Sequence, residues 1–193
     1  YIRKTNMGLA RFTSLKIGGV ASSVLFPMNE EGIAEVFQEI EKSKNPSFFV
    51  LGGGCNSIIQ EGKLDLTVVL TSYLSHYRFL PENFMRCQGG LNLSVLAELV
   101  ANNNLSGLEF CYGLPGTVGG ATFMNARAYD KQMADVIEKV VVFDYEKKEF
   151  ITLLNSQCNF GYKQSIFQQK PYLIFEVYFK LKPLKDKSEI WRL

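Results

Sequence analysis

The stretch GLPGTVGGATFMNARAY (113 to 129) carries Gly113, Gly116, Gly119 and Gly120 in close succession. Glycine loses more conformational freedom on folding than any other residue. Either the chain must bend there, or something must lie directly against its backbone. A second run, LGGGCNSII (51 to 59), directly follows FFVL, a short buried-strand pattern. Three consecutive glycines remove the side chains that shield peptide N–H groups, and consecutive N–H groups in a turn form a concave nest for anions. The run is not a P-loop, because no Gly-Lys-Ser/Thr follows, and its glycine spacing is not that of the dinucleotide fingerprint. A plain tight turn is the competing reading.

In the longer stretch several constraints coincide. Pro115-Gly116 favours a turn, Gly119-Gly120 permits close approach, and Asn125 supplies an amide within a run of small residues. Crowded strand packing is the alternative. Two glycine loops suggest one extended, phosphate-bearing ligand, and a dinucleotide such as FAD fits that description, with bare amides from both loops on its diphosphate. A third segment, NFGYKQSIF (159 to 167), groups Tyr162, Lys163 and Ser165 before the last strand. On composition alone Lys163 reads as a solvated charge, Tyr162 as packing and Ser165 as a local cap.

The 193-residue chain as a whole supplies the frame. With 47% hydrophobic residues it can fill a core, and a net charge of +2 without a basic block argues against bulk nucleic-acid binding. No apolar run approaches the roughly 18 residues of a membrane span and the first residues lack a signal peptide's apolar centre, so the expectation is a cytoplasmic protein with no membrane partner. Cys55, Cys87, Cys111 and Cys158 are scattered and His76 is the sole histidine, which makes a zinc site improbable and buried free thiols the expectation. Oligomeric state is not legible.

Ile33, Val36, Phe37 and Ile40 recur at helical spacing over 29 to 42, and LTVVL (66 to 70) reads as a strand after the glycine loop, which together suggest a small α/β unit over roughly 15 to 70. Val95, Leu96, Leu99 and Val100 predict a second helix capped by Asn92 or Ser94. VIEKVVVFD and EFITLL flank the polar turn YEKK, a hairpin with a loop longer than two residues. In LIFEVYFKL, Leu173, Phe175, Val177, Phe179 and Leu181 are expected to share one face of a half-buried strand. The fold class expected is α+β, with subdomains over 1 to 70 and 71 to 183 and a linker to a third domain starting over 184 to 193.

The ordered set FTSLKIGG (12 to 19), LGGGCNSII (51 to 59), GLEFCYGLPGTVGGATFMNARAY (107 to 129) and FGYKQSIF (160 to 167) resembles the UDP-N-acetylenolpyruvoylglucosamine reductase family. The resemblance implies a two-lobed FAD-binding domain of the vanillyl-alcohol-oxidase (PCMH) type, followed in the family by a third, substrate-binding domain. It implies noncovalent FAD, NADPH as hydride donor, and a UDP-sugar enolpyruvyl ether as the small-molecule substrate, reduced for peptidoglycan synthesis. Matched motif to motif, Gly52, Gly53, Gly54, Cys55, Asn56 and Ser57 would line the FAD diphosphate with Pro115, Gly116, Thr117, Gly119 and Gly120. Asn125 and Tyr129 would sit nearer the flavin ring and substrate, and Ile17, Gly18 and Gly19 would border the same cleft. Tyr162 would contact substrate, and Lys163 falls where the family usually has a catalytic arginine on the substrate's carboxylate.

Departures from the family pattern stand beside these matches. Lysine keeps the charge of arginine and loses its rigid two-pronged donor. Arg127 and Asp130 stand where the family commonly has glycine; Arg127 either replaces the missing positive charge or is solvated. Cys55 replaces a usual serine, which removes a hydroxyl donor and leaves the backbone nest intact. The family's proton-donating serine and its carboxylate partner belong to the third domain, and Ser165 is not that serine. FAD binding is therefore expected more firmly than turnover, and a noncatalytic flavin- or nucleotide-binding module is the rival reading.

Overall fold

The computed structural model describes residues 1–184. Beyond Leu184, the linker expected over 184 to 193 lies outside the described residues. The chain divides into two compact units, Tyr1–Leu74 and Ser75–Leu193.

The first unit is a four-stranded sheet with a helix. Strands β1 (Ile2–Gly8), β2 (Val20–Phe26), β3 (Phe48–Leu51) and β4 (Lys63–Leu70) lie in the order β1-β2-β4-β3. β1 runs antiparallel to β2, whereas β2 and β3 both run parallel to β4. Helix α1 (Glu30–Lys42) starts where the Asn29 side chain accepts the Gly32 N–H at 2.8 Å, with Glu30 and Glu31 in its first turn and Lys42 in its last, as the helix dipole favours. Its Ile33, Val36, Phe37 and Ile40 are buried, as their spacing predicts, and Phe37 meets Phe48 edge-on at 5.4 Å. Leu9, Val24, Leu51, Val68 and Leu70 form the core beside the sheet. The α/β unit begins earlier than its hydrophobic pattern indicates. β1 exposes five of its seven residues, so it carries no apolar alternation and is held by its backbone ladder to β2.

The second unit is built on a five-stranded antiparallel sheet. β5 (Tyr77–Leu80), β6 (Phe84–Gln88), β10 (Ile137–Asp144), β11 (Glu149–Leu154) and β12 (Tyr172–Lys180) lie in the order β11-β10-β12-β6-β5. Between β6 and β10 come helix α2 (Leu93–Asn102), strand β7 (Leu105–Ser106), helix α3 (Val118–Phe123) and the small hairpin β8 (Arg127–Ala128) with β9 (Lys131–Gln132). A last strand, β13 (Lys182–Pro183), pairs with β7. Asn92 caps α2 by accepting the N–H groups of Ser94 and Val95 at 2.9 and 3.2 Å. The helix buries Leu93, Leu96, Ala97 and Val100, while Val95, expected on the inner face, is exposed. The hairpin β10–β11 closes over four residues, its turn held by Asp144 Oδ1, which accepts from Glu146 and Lys147.

Strand β12 departs from its sequence pattern. It lies at the centre of the sheet, and Leu173, Ile174, Phe175, Glu176 and Val177 are all buried. Its register against β10 shifts between Val141, opposite Glu176, and Val142, opposite Ile174. This bulge breaks the period-two alternation. Ile174 joins Val177, Phe179 and Leu181 in the main core, while Phe175 packs on Phe150 at 5.4 Å, which in turn meets Phe143 at 4.9 Å. The five residues expected on one face are thus divided by one extra residue in the ladder.

Candidate functional site

In the first unit the loop after β3 leaves its amides bare. Among the described residues, no hydrogen bond engages the peptide N–H groups of Gly53, Gly54, Cys55, Asn56 or Ser57. Buried or half-buried N–H groups of this kind call for an acceptor. The glycines are needed for two different reasons. Gly54 has φ +61°, and a Cβ on it would overlap the Phe12 carbonyl oxygen and lie 2.8 Å from Thr13 Cα. Its carbonyl accepts the Ser14 N–H at 3.1 Å, so the loop is stapled to the segment after β1. Gly54 therefore serves packing, while the N–H run around it is left without a protein acceptor among the described residues. Cys55 turns its thiol onto the Gly53 carbonyl at 3.2 Å, and Asn56 is exposed. Gly18 and Gly19 belong to the same construction: Gly19 N–H donates to the Gln60 carbonyl at 2.8 Å, and a Cβ there would strike Gly62 and Gln60. Ile17 is 39% exposed beside them in sequence.

The glycines of the second unit also separate by role. Gly113 and Gly116 have φ +77° and +130°, conformations that side chains resist, so both answer to a bend. Gly119 answers to close approach. Its N–H donates to the Gly89 carbonyl at 2.7 Å, and a Cβ on it would lie 3.0 Å from that oxygen and 3.3 Å from Gly89 Cα. Two backbones touch here, and Gly89, which the sequence reading did not single out, is the other half of the contact. Gly120 meets nothing closer than the Thr117 hydroxyl at 3.5 Å and is exposed. The first N–H groups of α3 are mostly engaged within the protein: Val118 donates to Leu91, Gly119 to Gly89, and Gly120 to Thr117 Oγ1 at 3.4 Å. The amides of Gly116 and Thr117 have no acceptor among the described residues. The nest expected along the whole motif thus contracts to two adjacent amides and the open surface at Gly120, with Pro115 exposed beside them.

Past α3, Asn125 differs from its expected place at the ligand surface. It is 1% exposed, at φ 44°, and both amide donors act inside the protein, to Gly161 O at 2.9 Å and Gln132 Oε1 at 3.1 Å. Its Oδ1 accepts the Ala134 N–H at 3.0 Å. Ser165 is fully buried and does not cap its own turn; its hydroxyl donates to the Phe123 carbonyl at 2.7 Å, and Gln168 Nε2 reaches the same oxygen at 3.1 Å. Asn125, Ser165 and Gln168 therefore lash the end of α3 to the segment 161 to 168. Gln168 carried no sequence signal, because a glutamine in a polar run has no distinguishing pattern.

These struts present two exposed features. The hairpin β8–β9 turns through Tyr129 and Asp130, both at positive φ (50° and 58°), the signature of a type I′ turn, and Tyr129 is 65% exposed. The turn Gly161–Gln164 is closed by reciprocal backbone bonds of 3.0 and 3.2 Å and lifts Tyr162 to 71% exposure, with Lys163 at φ 52°. Arg127 Cζ lies 5.4 Å from the Tyr162 ring centroid and Lys163 Nζ 5.7 Å from the same centroid. Three residues from two distant motifs thus meet on one exposed ring.

Burial raises the thiols of Cys87, Cys111 and Cys158 above their ordinary range, Cys111 to about 12 and Cys158 to about 11. Glu176 adds to the effect at Cys87, and Glu109 at Cys111. They are inert core residues, and all four cysteines are free. Among the described residues, no cluster of His, Cys, Asp and Glu is arranged to hold a metal ion, and no helix is long and apolar enough to cross a membrane.

Residues 21–151 match the FAD binding domain family. A UDP-N-acetylenolpyruvoylglucosamine reductase from Petrotoga mobilis is 35% identical over 98% of this chain and 62% of its own length; one from Pseudothermotoga lettingae is 37% identical over 97% and 62%. The chain therefore spans about 62% of the length of these curated relatives. The crystal structure of a UDP-N-acetylenolpyruvylglucosamine reductase from Thermus caldophilus superposes with a TM-score of 0.79 at 28% identity, covering 99% of this chain and 65% of that one. An alkyldihydroxyacetonephosphate synthase shares the fold alone, with a TM-score of 0.61 at 14% identity over 87% of this chain and 33% of its own. The fold is α+β, of the vanillyl-alcohol-oxidase (PCMH) type, and the chain belongs to the FAD binding domain family.

Proposed function

We propose that this chain binds FAD noncovalently and forms the flavin-binding portion of a reductase that converts UDP-N-acetylglucosamine enolpyruvate to UDP-N-acetylmuramate, with NADPH as reductant, in the cytoplasm, for cell-wall synthesis, cell division and cell shape. The activity is that of the protein that carries these residues. The domain limits 1 to 70 and 71 to 183, and a third domain beyond them, belong to the same reading. Each unit, taken by itself, carries donors of the kind diphosphate oxygens accept: in the first the free N–H run from Gly53 to Ser57, with Gly52 before it, and in the second the amides of Gly116 and Thr117. When bound, FAD supplies two-electron chemistry between NADPH and the enolpyruvyl double bond.

The chain's own residues bind and orient. Pro115, Gly119 and Gly120 keep the start of α3 low enough for a flat ligand, and Tyr129 and Tyr162 offer exposed ring faces to the substrate. Asn125 positions both of these loops from beneath. Lys163 is the catalytic cation that stabilises charge on the substrate's carboxylate. The observation that carries this reading is the exposed Tyr162–Lys163 turn, matched to its motif within a chain that aligns over nearly its whole length with reductases of this name. Lys163 in place of arginine favours the rival reading, a flavin-binding module without turnover.

An absorbance spectrum of purified protein between about 350 and 500 nm tests the cofactor, with oxidised-flavin peaks expected from its ring chemistry. NADPH-dependent loss of the enolpyruvyl substrate then tests the enzyme; bound FAD without reduction supports the module. Lys163→Ala is expected to lower turnover by a factor on the order of 10² to 10³, the effect of removing one preorganised charge-stabilising donor. Normal turnover in that variant refutes the assignment of Lys163.

A further inference from the structure

The geometry points to Arg127 as a second substrate-anchoring cation, which supplies to the substrate's carboxylate the planar two-pronged donor that Lys163 lacks. The inference rests on the reductase reading for the identity of the anion. Arg127 opens β8, across from Gln132, and its guanidinium stands over the same ring that Lys163 approaches from the neighbouring turn. Two cations thus stand beside one exposed ring, at 5.4 and 5.7 Å from its centroid. Ring faces attract cations through their quadrupole, and an anion bound at this ring would gain from both positive charges.

Beyond the Tyr162 ring and a long ion pair, Arg127 keeps its hydrogen-bonding capacity unused. Its side chain is 43% exposed, and among the described residues no hydrogen bond engages its guanidinium. Its carboxylate neighbour, Asp130, stands 4.0 Å away, at the outer limit of an ion pair, on a fully exposed side chain where such a pair contributes little. Asp130 opposes anion binding weakly and gives the site a second handle for testing. The scaffold is held firmly: Asn125 ties the base of the hairpin to Gly161, and Gln168 Nε2 holds the Lys163 carbonyl at 3.1 Å. A guanidinium on such a support matches a carboxylate with two parallel N–H···O bonds, while the ammonium of Lys163 acts as a point charge.

Two measurements test the assignment. In the complete enzyme, Arg127→Ala is expected to raise KM for the enolpyruvyl substrate roughly 10- to 100-fold, as loss of a charged hydrogen bond implies, with flavin content unchanged. Arg127→Lys should fall between, Lys163→Arg in the Arg127→Ala background should restore much of the loss, and Asp130→Asn should lower KM. Unchanged KM in Arg127→Ala, or a loss that Lys163→Arg fails to relieve, overturns the proposal. Independently of turnover, NMR signals of the Arg127 Nε–H and the Tyr162 ring are followed while pyruvate is added, with inorganic phosphate as the control anion. Shifts with pyruvate that vanish in Arg127→Ala support the carboxylate site. Shifts with phosphate alone, or with neither anion, overturn it. If pyruvate moves both signals and the wild-type enzyme leaves the enolpyruvyl substrate untouched, the reductase reading fails and the carboxylate clamp stands.

Discussion

The Asn125 side chain donates to the Gly161 carbonyl at 2.9 Å, joining positions 36 apart and tying the segment after α3 to the turn that carries Tyr162 and Lys163. A fully engaged buried amide holds three backbones at once, those of Gly161, Ala134 and its own, and adds the Gln132 side chain. Asn125→Ala orphans these partners and forces alanine into φ 44°. The expected loss is about 2–3 kcal/mol, read as a fall in Tm or in denaturation midpoint. Asn125→Gly, which accepts the backbone angle, should recover only the conformational part. A loss in Asn125→Ala below about 0.5 kcal/mol, the range of an ordinary surface change, contradicts the role.

Gly119 and Gly120 are adjacent and should respond oppositely. Gly119→Ala brings a Cβ to 3.0 Å from the Gly89 oxygen, a backbone atom that no rotamer change can move, and is expected to destabilise by about 1–3 kcal/mol. Gly120→Ala meets only an ordinary contact at 3.5 Å in a helical position, so stability should hold or rise by about 0.5–1 kcal/mol. Flavin titration of the second variant should nonetheless show weaker binding, because the added methyl group lies on the open surface at the start of α3. Equal effects of the two substitutions on stability would show that the backbone contact with Gly89 is not what requires Gly119.

Gly54→Ala should be the most damaging change in the first unit. The new methyl group overlaps the Phe12 carbonyl and the residue must hold φ +61°, costs that together reach about 2–4 kcal/mol. Gly113→Ala shares only the positive angle, with nothing within 4 Å, and should cost about 1 kcal/mol. Chemical denaturation of both variants checks the ordering.

The buried thiols predict an alkaline limit to stability. Cys87, Cys111 and Cys158 all ionise at higher pH in the fold than in the unfolded chain, because burial penalises the thiolate. The unfolded chain therefore loses these protons first as pH rises, and stability, complete below about pH 8.5, declines progressively towards pH 11 to 12. Each thiol that is protonated only in the native state adds about 1.4 kcal/mol per pH unit to that slope. Denaturation midpoints measured from pH 8 to 11 should fall, and Cys87→Ala should cost core packing while flattening the curve. Thiol labelling of native protein should reach half-buried Cys55 first, with the other three modified only on unfolding.

What the residues alone determined were the local devices. The apolar spacing of Ile33, Val36, Phe37 and Ile40 specified α1, Asn92 specified where α2 begins, and YEKK marked the β10–β11 turn, because capping and periodicity act between near neighbours in the chain. The glycine loops and the FGYKQS turn were legible as candidates for the same reason. Tertiary structure decided which glycine does what: Gly119 needs the Gly89 backbone and Gly54 needs Phe12, and neither partner is near in sequence. It also decided the fate of β12, where a bulge redirects Phe175, and of β1, whose exposed residues carry no pattern and whose place comes from backbone pairing with β2, with Ile2 and Met7 against the core. Arg127 reached the ring of Tyr162 by the same route, since a hairpin and a turn 35 residues apart are brought together by the long-range hydrogen bonds of Asn125, Ser165 and Gln168. Backbone-to-backbone contact and long-range pairing depend on which segments meet in space, and that information is held by the packed core as a whole, not by any stretch of it.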